Sequence, residues 1–354
     1  MNQHSSIHKL RVWLITGGLS AERPVSLDSG AAVARTLLAG GHRVLAYDSA
    51  EGRYLEALSS PGACPAEAPP TKLSWSEKLL WLAPRLREAW DVAFIAVHGG
   101  EGEDGTLPVL LELAGLPYTG SGPTACALTL DKVLTKLLMR GLGIATPAWE
   151  VLDVPDPARP PARADLTGPC RDGWPVVIKP IVEGSSVGVA IPQSAAEWPA
   201  GVRLAAEAAR ASLPHRRQPV SRRLMVEEYI AGQELTVSIL SGRALPVIEI
   251  VPRRSFYDYE RKYTAGETLY KVPAPLPEAL TGRLQREALT LYTAAGCGGM
   301  ARIDYRLAPG GEPQCLELNT VPGLTETSLV PKAAAAAGLD FLALLEAVCR
   351  DAAR

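Results

Sequence analysis

The sequence predicts a mixed α/β protein whose first unit is a doubly wound parallel sheet. Residues 12–16 form a short apolar run rich in branched side chains, which indicates a buried strand, and the glycine pair at 17–18 follows it directly. The pattern of residues 26–39 then predicts a helix, and the apolar runs at 43–47 and 92–97 predict two more buried strands. Strand, glycine turn, helix and strand, in this order, are the usual opening of a doubly wound sheet.

Two further α/β units are expected after this sheet. A turn-rich break at 120–123 precedes two helical stretches, of which 131–142 is the clearer, and the proline-rich segment 153–169 predicts a surface excursion. The predicted domains span residues 1–121, 122–227 and 228–354. Further strands are predicted at 176–180, 224–228, 235–240, 244–251, 301–307 and 314–318. Further helices are predicted at 75–90, with a kink at Pro84, and at 195–211, 277–295 and 339–353.

Composition and charge exclude several classes of protein. The chain has 354 residues, is 47% hydrophobic and 21% charged, and carries a formal net charge of −2, so no strong field attracts nucleic acid or an anionic membrane. No apolar run reaches the roughly 20 residues that cross a bilayer, and residues 1–10 lack the apolar core of a signal peptide. The six cysteines and five histidines are dispersed, which speaks against a zinc site. We therefore expect a soluble cytoplasmic protein with reduced thiols.

Acidic and amide side chains late in the chain form the strongest candidate site. In the predicted strand that ends with Glu317, Leu318 and Asn319, alternation puts Glu317 and Asn319 on one face and turns Leu318 toward the core. Asp304 occupies a comparable position in the preceding strand. Two carboxylates and an amide oxygen form a hard-oxygen site suited to Mg²⁺ that bridges phosphates. A solvated acidic strand edge is the alternative, and these residues alone leave it open.

Two lysines and a loop of small residues form a candidate phosphate site. Loop 183–188 lies between two apolar strands, and its backbone amides and the hydroxyls of Ser185 and Ser186 can donate to phosphate oxygens, with Lys179 as the cationic partner. It is not a Walker loop, because no lysine follows its second glycine. Lys132 opens a predicted helix. An ordinary turn and a solvated helix lysine are the alternatives.

A third candidate site lies at the first sheet. His98 begins the glycine- and acid-rich stretch 98–105 directly after a predicted strand, and Glu22 follows the first strand and its glycine turn in the same way. Ligands of open α/β sheets bind beyond the carboxyl ends of the strands, so both side chains are well placed, although a single histidine more often has a structural role. The polar, aromatic segment 253–270 indicates a lid over a site, with simple packing as its alternative.

The order of these motifs resembles that of D-alanine–D-alanine ligases, and the resemblance covers nearly the whole chain. The matching segments are 17–18, 20–23, 25–26, 98–105, 115–120, 131–132, 179–180, 183–188, 256–263, 299–304 and 317–323. These ligases are ATP-grasp enzymes, so the resemblance implies three domains: an N-terminal parallel sheet and two α+β domains that enclose ATP. It also implies a homodimer. Pro24 departs from the family's usual acidic residue, close to Glu22.

The resemblance implies roles for ATP, metal and both amino-acid substrates. The implied ATP contacts are Lys132, Lys179, Glu183, Ser185 and Ser186 at the phosphates, and Glu227, Glu234 and Phe256 at the adenine and ribose. The implied ligands of two Mg²⁺ ions, with Mn²⁺ as an alternative, are Asp304, Glu317 and Asn319. The implied D-alanine contacts are Glu22 at the first ammonium, His98 near the first carboxylate and Ser328 at the second carboxylate. Ser185 and Tyr263 would join Glu22 in a lid-closing triad, Lys262 would reach the transferred phosphate, and Arg302 and the Gly323 amide would stabilise an oxyanion.

The implied reaction is the ATP-dependent joining of two D-alanines, through an acyl phosphate, for peptidoglycan precursor synthesis. A carboxylate is a poor acyl donor until it is phosphorylated, which requires neutralised charge and exclusion of water. A related ligase that takes D-serine, D-lactate or another small amino acid second is the alternative, and Tyr263 speaks against lactate. A nucleotide-binding regulator without turnover would predict gaps among the metal and phosphate ligands, whereas all of them are present.

Overall fold

In the computed structural model, which describes residues 9–65, 67, 69–211, 222–252 and 268–353, the chain opens with a four-stranded sheet. Its strands are β1 (Arg11–Thr16), β2 (Arg43–Asp48), β3 (Arg53–Tyr54) and β4 (Val92–Ile95), in the order β3-β2-β1-β4. Strand β1 runs parallel to both β2 and β4, whereas the short β3 is antiparallel to β2. The predicted parallel sheet at the start of the chain is confirmed.

Helices cover both faces of this sheet, which explains why the central residues of β1, β2 and β4 are apolar and buried. Helix α1 (Arg23–Ala39) packs on the face that carries Val12 and Leu14. The opposite face is covered by α2 (Trp75–Leu86) and, after the single turn α3 (Gly100–Glu103), by α4 (Thr106–Leu113). Helix α2 begins at a capping box formed by Ser74 and Glu77, and it contains Pro84, where a kink was predicted.

The middle of the chain contributes a helix pair and a three-stranded sheet. The helices are α5 (Pro123–Leu130) and α6 (Lys132–Gly141). The antiparallel strands β5 (Trp149–Asp153), β6 (Val176–Pro180) and β7 (Arg223–Glu228) have the order β5-β7-β6, and α7 (Trp198–Ala211) packs on them. Strand β5 was not predicted, because its burial is partial and it carries two acidic residues.

The last part of the chain builds an antiparallel sheet around β8 (Gln233–Leu240). The other strands are β9 (Arg243–Ala244), β10 (Ile248–Pro252), β11 (Thr268–Lys271), β12 (Met300–Leu307) and β13 (Pro313–Asn319). The order is β11-β10-β8-β12-β13, and β9 pairs with β8 outside this path. The helices are α8 (Glu278–Ala294), α9 (Leu329–Ala336) and α10 (Phe341–Ala352), of which α9 was not predicted.

The single strand predicted for residues 244–251 is wrong, because the structure has two strands there. Strand β9 ends at Ala244 and β10 begins only at Ile248. Pro246 lies between them. Proline has no backbone N–H to donate to a neighbouring strand, so a continuous strand is disfavoured at this position.

Packing between the units uses helices that are distant in sequence from the sheet they cover. Met139 of α6 and Ile144 belong to the same core as Leu235 and Ile303 of the last sheet. Helix α10 returns to the first sheet, where Leu345 packs with Leu37 and Phe94. The domain limits at 121 and 227 stay a prediction. No helix in the described part of the chain is long and apolar enough to span a membrane.

Candidate active site

Two neighbouring strands bring the predicted metal ligands together. Strands β12 and β13 pair so that Asp304 lies opposite Glu317, and Arg302 lies opposite Asn319. Arg302 Nη2 lies 2.8 Å from Asp304 Oδ2, and Asn319 Nδ2 donates to the same oxygen at 3.2 Å. Thr236 of β8 donates to Asp304 Oδ1 at 2.7 Å. The side chains of the predicted metal site therefore share one face of the sheet, while Leu318 is buried on the other.

A β-bulge shapes this edge. The pairing shifts between Asp304 and Tyr305, so that Tyr305 lies opposite Cys315 and Leu316 has no partner on β12. An extra residue bends a strand and re-aims the neighbouring side chains. As a result Leu316 and Glu317, although adjacent in sequence, both line the same cleft.

Lys132 connects the start of helix α6 with this edge. The Asp131 side chain caps the helix by accepting from the backbone N–H groups of Val133 and Leu134. The Lys132 ammonium donates to the carbonyl oxygen of Glu183 and lies 3.7 Å from Glu317 Oε2. A buried lysine is thus held between the small-residue loop and an acidic strand end, and it is not a solvated surface cation.

Glu227 is the centre of a buried group of charges. Lys179 Nζ lies 2.5 Å from Glu227 Oε1, and Lys136 Nζ lies 2.9 Å from Glu227 Oε2. Lys136 also donates to Thr146 Oγ1 at 2.7 Å and to the carbonyl oxygen of Pro147 at 3.0 Å. Burial by itself would raise the pKa of Glu227, but the two lysines outweigh it and hold that pKa below its usual value, whereas burial lowers the pKa of Lys136.

These groups line a cleft of about 870 Å³, open mouth included, between the second and third sheets. Its polar lining residues are Lys132, Lys179, Glu183, Ser186, Glu227, Glu228, Tyr229, Glu234, Asp304, Arg306 and Glu317. Arg306 crosses the rim, where its Nη1 lies 3.3 Å from Glu234 Oε2 and its Nε donates to the carbonyl oxygen of Ile230 at 3.0 Å. Val177, Val189 and Ile191 supply an apolar wall. Carboxylates, cations and an apolar wall in one cleft suit a planar base that carries phosphates.

A second, smaller pocket of about 420 Å³ lies at the carboxyl end of the first sheet. Glu22 occupies the N-cap position of α1, where its side chain does not cap the helix; it is buried and accepts a hydrogen bond from the Ser185 hydroxyl. A Cβ at Gly99 would lie 2.5 Å from Glu22 Oε2, and one at Gly184 would lie 2.6 Å from the same oxygen, so a side chain at either position would displace the Glu22 carboxylate. Pro24 falls in the first turn of α1, where no intrahelical N–H is needed.

His98 is buried at this pocket, and both of its ring nitrogens have protein partners. Nδ1 lies 2.8 Å from the carbonyl oxygen of Val321, and Nε2 lies 2.8 Å from Ser29 Oγ. The backbone N–H of His98 donates to Ser26 Oγ at 2.9 Å. Burial lowers the pKa of His98, although the negative charge of Glu22 acts in the opposite direction.

Arg302 and the turn after β13 complete this second pocket. Arg302, Asn319, Pro322 and Gly323 line it together with Glu22 and His98. Ser328 lies next to Gly323, since a Cβ at Gly323 would be 3.0 Å from Ser328 Oγ, and Ser328 Oγ accepts from the backbone N–H of Thr325 at 3.1 Å. Asp304 lines the first cleft and Arg302, two residues earlier on the same strand, lines the second. The two pockets therefore meet at β12.

The donor set at β12 and β13 fits a hard divalent cation. Asp304 and Glu317 offer carboxylate oxygens and Asn319 offers an amide oxygen, which are the ligand atoms that Mg²⁺ and Mn²⁺ accept. Within the described part of the chain no cluster of three or more His, Cys, Asp or Glu side chains has the arrangement of a metal site. A metal here would therefore depend on the amide and on substrate oxygens to complete its coordination.

Comparison with known proteins assigns the family. The model of the D-Ala D-Ala ligase N-terminus matches residues 11–121, and the model of the D-Ala D-Ala ligase C-terminus matches residues 138–350. The chain belongs to the D-alanine–D-alanine ligase family. The D-alanine–D-alanine ligase of Syntrophotalea carbinolica is 40% identical over 99% of this chain and 98% of its own length. That of an Anaeromyxobacter species, strain Fw109-5, is 42% identical, with 97% of each chain covered.

Solved structures of this family have the same fold. The crystal structure of the D-alanine–D-alanine ligase from Bacillus anthracis complexed with ATP is 29% identical, covers 97% of each chain and has a TM-score of 0.72. The predicted recognition of the family and the predicted ATP-grasp fold class are therefore confirmed. The individual site residues are not tested by these matches, so their roles stay predictions.

Some residues of the two pockets were not predicted. Arg306 lies just beyond a predicted motif, and Lys136, which is buried beside Glu227 and does not line the cleft, looks like an ordinary helix lysine. Glu103 lines the second pocket, where burial, and then the charge of Glu22, raises its pKa to about 8. The acid-rich stretch 98–105 was the available signal for Glu103, but sequence alone does not distinguish its three acids. Phe256, Lys262 and Tyr263 lie outside the described residues.

Proposed function

We propose that this protein joins two D-alanines to D-alanyl-D-alanine, with conversion of ATP to ADP and phosphate, as a step in making peptidoglycan precursors. The observation that carries this proposal is the meeting of the two pockets at β12. A nucleotide in the larger cleft would present its terminal phosphate near Asp304, and an amino acid in the smaller pocket would present its carboxylate near Arg302. Family membership supports the same reaction.

The first step transfers the terminal phosphoryl group of ATP to a carboxylate oxygen of the first D-alanine. The bond between that phosphorus and the bridging oxygen of ATP breaks, and ADP leaves with the electron pair. Lys132 and Lys179 are the proposed phosphate cations, and the turn with Ser185 and Ser186 is the proposed source of N–H and O–H donors. Both serines have a left-handed backbone, with φ of 47° and 61°, which directs successive N–H groups to one side.

Asp304, Glu317 and Asn319 are the proposed ligands of Mg²⁺. Bound there, Mg²⁺ would neutralise charge on the phosphate oxygens. The protein's own contribution is the placement of the three ligands, which the pairing of β12 with β13 and the hydrogen bond from Thr236 determine. Glu227 and Glu234 are the proposed contacts for adenine and ribose.

The second step forms the peptide bond. The second D-alanine attacks the acyl phosphate carbon as a free amine, after its ammonium has lost a proton to solvent. A tetrahedral oxyanion forms, the nitrogen loses a second proton, and collapse breaks the bond to phosphate, which leaves. We assign the ammonium of the first D-alanine to Glu22, with His98 near its carboxylate. Arg302 and the Gly323 N–H are the proposed oxyanion donors, and Ser328 is the proposed contact for the second carboxylate. Preorganised donors of this kind stabilise the developing charge without further rearrangement.

Three residues of the proposed lid complete the mechanism. Phe256 is proposed against the base, Lys262 at the transferred phosphate, and Tyr263 with Ser185 and Glu22 in the contact that closes the lid. Closure would exclude water, which otherwise hydrolyses an acyl phosphate. We also propose that the protein is a cytoplasmic homodimer with domains at 1–121, 122–227 and 228–354. Light scattering of the purified protein tests the dimer.

The function is tested by measuring phosphate release from ATP with defined pairs of substrates. D-Alanine alone should support release and yield the dipeptide, whereas L-alanine should not. Added D-serine or D-lactate should not be incorporated in preference to a second D-alanine. Release with no pair of small amino acids would reject the proposal, and preferential incorporation of D-serine or D-lactate would reassign the second substrate.

The metal assignment has its own test. Glu317→Ala should reduce turnover to background, because the site loses one of its two carboxylates. Glu312→Ala is the matched control, since Glu312 pairs with Arg283 on the surface of the same domain. Near-normal turnover of Glu317→Ala would show that the metal ligands are assigned wrongly.

A further inference from the structure

The turn that carries Gly323 is attached to the first unit of the protein through two side chains. The carbonyl oxygen of Val321 lies 2.8 Å from His98 Nδ1, and the backbone N–H of Leu324 donates to Ser29 Oγ at 3.3 Å. Ser29 Oγ also lies 2.8 Å from His98 Nε2. His98 is 3% exposed, and both Ser29 and Leu324 are 0% exposed, so these contacts are shielded from water.

The chemistry of the donors and acceptors determines the direction of these hydrogen bonds. A carbonyl oxygen only accepts, so His98 Nδ1 carries a proton and donates to Val321. In a neutral imidazole Nε2 is then an acceptor, and the single hydroxyl proton of Ser29 donates to it. The remaining lone pairs of Ser29 Oγ accept from Leu324 N–H. The chain Leu324, Ser29, His98, Val321 is therefore fully satisfied in one arrangement.

This arrangement holds both sides of Gly323. Val321 and Leu324 flank the residue whose amide is the proposed oxyanion donor, and each is attached to the same serine–histidine pair. Ser29 lies two turns after Glu22 on the same helix α1, and Ser26, one turn before Ser29, accepts from the backbone N–H of His98. Glu22, Ser26 and Ser29 have the spacing of one helix face, so the same face presents the carboxylate of the pocket and anchors the turn.

We propose that Ser29 and His98 are positioning residues that hold the turn 321–324, and with it the Gly323 amide, at the point where the tetrahedral oxyanion forms. This inference rests on the proposed function. Among the described residues, the Ser29 hydroxyl hydrogen-bonds with His98 and Leu324, so its effect on the reaction passes through the turn. A shift of about 1 Å in such a donor can reduce the rate about 100-fold.

The proposal differs from a direct role of His98 as a carboxylate ligand. A histidine with both ring nitrogens engaged would have to release Val321 or Ser29 before it could donate to a substrate carboxylate. A ligand role predicts a higher KM for the first D-alanine when the pair is broken. A positioning role predicts a lower kcat for ligation, since the oxyanion forms only when the second amine attacks.

The experiment compares Ser29→Ala with Ser29→Cys and with the control Ser49→Ala. Ser49 is also a buried hydroxyl of the first unit, and it donates to the carbonyl oxygen of Thr16 at 3.2 Å, away from the turn. Two reactions are measured: phosphate release during ligation, and the D-alanine-dependent exchange of ¹⁸O between the bridging and non-bridging positions of ATP, which reports acyl phosphate formation alone. Thermal melting of each variant is recorded alongside.

Ser29→Ala should lower kcat for ligation about 10- to 100-fold, with KM for the first D-alanine and the isotope exchange within about twofold of wild type. Ser29→Cys, whose thiol is a weak donor, should have a kcat between those of the wild type and Ser29→Ala. It is the deciding variant if Ser29→Ala does not fold. The inference would be overturned if both Ser29 variants ligate D-alanine at the wild-type rate, or if ligation and isotope exchange fall equally. It would also be overturned if Ser49→Ala lowers kcat for ligation as much as Ser29→Ala does. Failure of the wild-type protein to ligate D-alanine would instead reject the proposed function.

Discussion

The two pockets of this protein are built from different interactions. In the larger cleft, which is the proposed nucleotide cleft, Lys136 and Lys179 neutralise the buried carboxylate of Glu227. In the smaller pocket, which is the proposed amino-acid pocket, hydrogen bonds between neutral groups, such as those of Ser26 and Ser29 with His98, hold the backbone in position. A ligand with several negative charges is bound by cationic side chains. Before the ligand binds, the charge of these buried cations must be balanced by a carboxylate of the protein, here Glu227. A small zwitterion needs a rigid frame, which neutral hydrogen bonds supply without buried net charge.

The comparison predicts that the largest loss of stability follows removal of Glu227. Glu227→Ala leaves Lys136 and Lys179 buried without their common partner, and removal of one member of a buried ion pair costs about 3–5 kcal/mol. Urea unfolding should show this decrease in the free energy of unfolding. Glu228→Ala, at the exposed neighbouring position of β7, should change it by less than about 0.5 kcal/mol. Equal effects of the two variants would show that the buried charges are not the main support of the cleft.

Glu22 and Glu103 are carboxylates that line the amino-acid pocket, and the raised pKa of Glu103 predicts a dependence of stability on pH. Its pKa of about 8 in the folded protein lies above the usual value of 4.5, so the folded state keeps a proton that the unfolded state loses. The free energy of unfolding should therefore decrease as pH rises from about 4.5 to about 8. Glu103→Gln has no proton to lose and should flatten this decrease. The exposed Glu88→Gln should leave the profile unchanged, and a wild-type slope in Glu103→Gln would contradict the prediction.

Ser26 tests the neutral frame of the amino-acid pocket. Its hydroxyl accepts from the His98 N–H at 2.9 Å and donates to the carbonyl oxygen of Glu22 at 3.2 Å. Ser26→Ala leaves a buried N–H without its partner, which should cost about 1–3 kcal/mol. The loss should not change with salt concentration, because no charge is involved. A loss that falls strongly as salt rises would mean that this pocket too depends on charges.

The smallest effect is expected at the rim of the nucleotide cleft. Arg306 pairs with Glu234, and both side chains are about one-fifth exposed, so the pair should contribute less than about 1 kcal/mol. Arg306→Leu should raise KM for ATP no more than about fivefold. The difference in KM between ATP and 2′-deoxy-ATP should also become smaller, because Glu234 is the proposed contact of the ribose. Arg283→Leu, which breaks a surface pair with Glu312, is the control and should change neither value.

Much of the fold was predictable from local sequence. The apolar runs at 12–16 and 176–180 predicted β1 and β6 to within one residue, because a strand buried on both faces needs apolar side chains along its length. Alternation around Leu318 also predicted which side chains share a face. Strand β5 and the break at Pro246 were missed, since a half-exposed strand has a weak pattern and the apolar run continues on both sides of the proline.

The candidate site was predictable in its residue types and less so in its connections. Lys132, Lys179 and Asp304 were expected from motif order, and they do line one cleft. Lys136 and Ser29 carry no comparable signal, since a lysine and a serine within a helix are most often solvent-facing. Their burial follows from elements that pack on them later in the chain: β7 brings Glu227 to Lys136, and the turn after β13 brings Leu324 to Ser29.

The sequence by itself determined the family, the fold class and the residue types from which the two pockets are built, because periodicity and motif order act over short stretches of chain. The tertiary structure decided which groups are partners. Ser29 and Leu324 are 295 residues apart, and His98 and Val321 are 223 apart. No local propensity specifies such contacts. They form because buried polar groups must find partners once the sheets have packed, and the partners available are those that packing brings within hydrogen-bond reach.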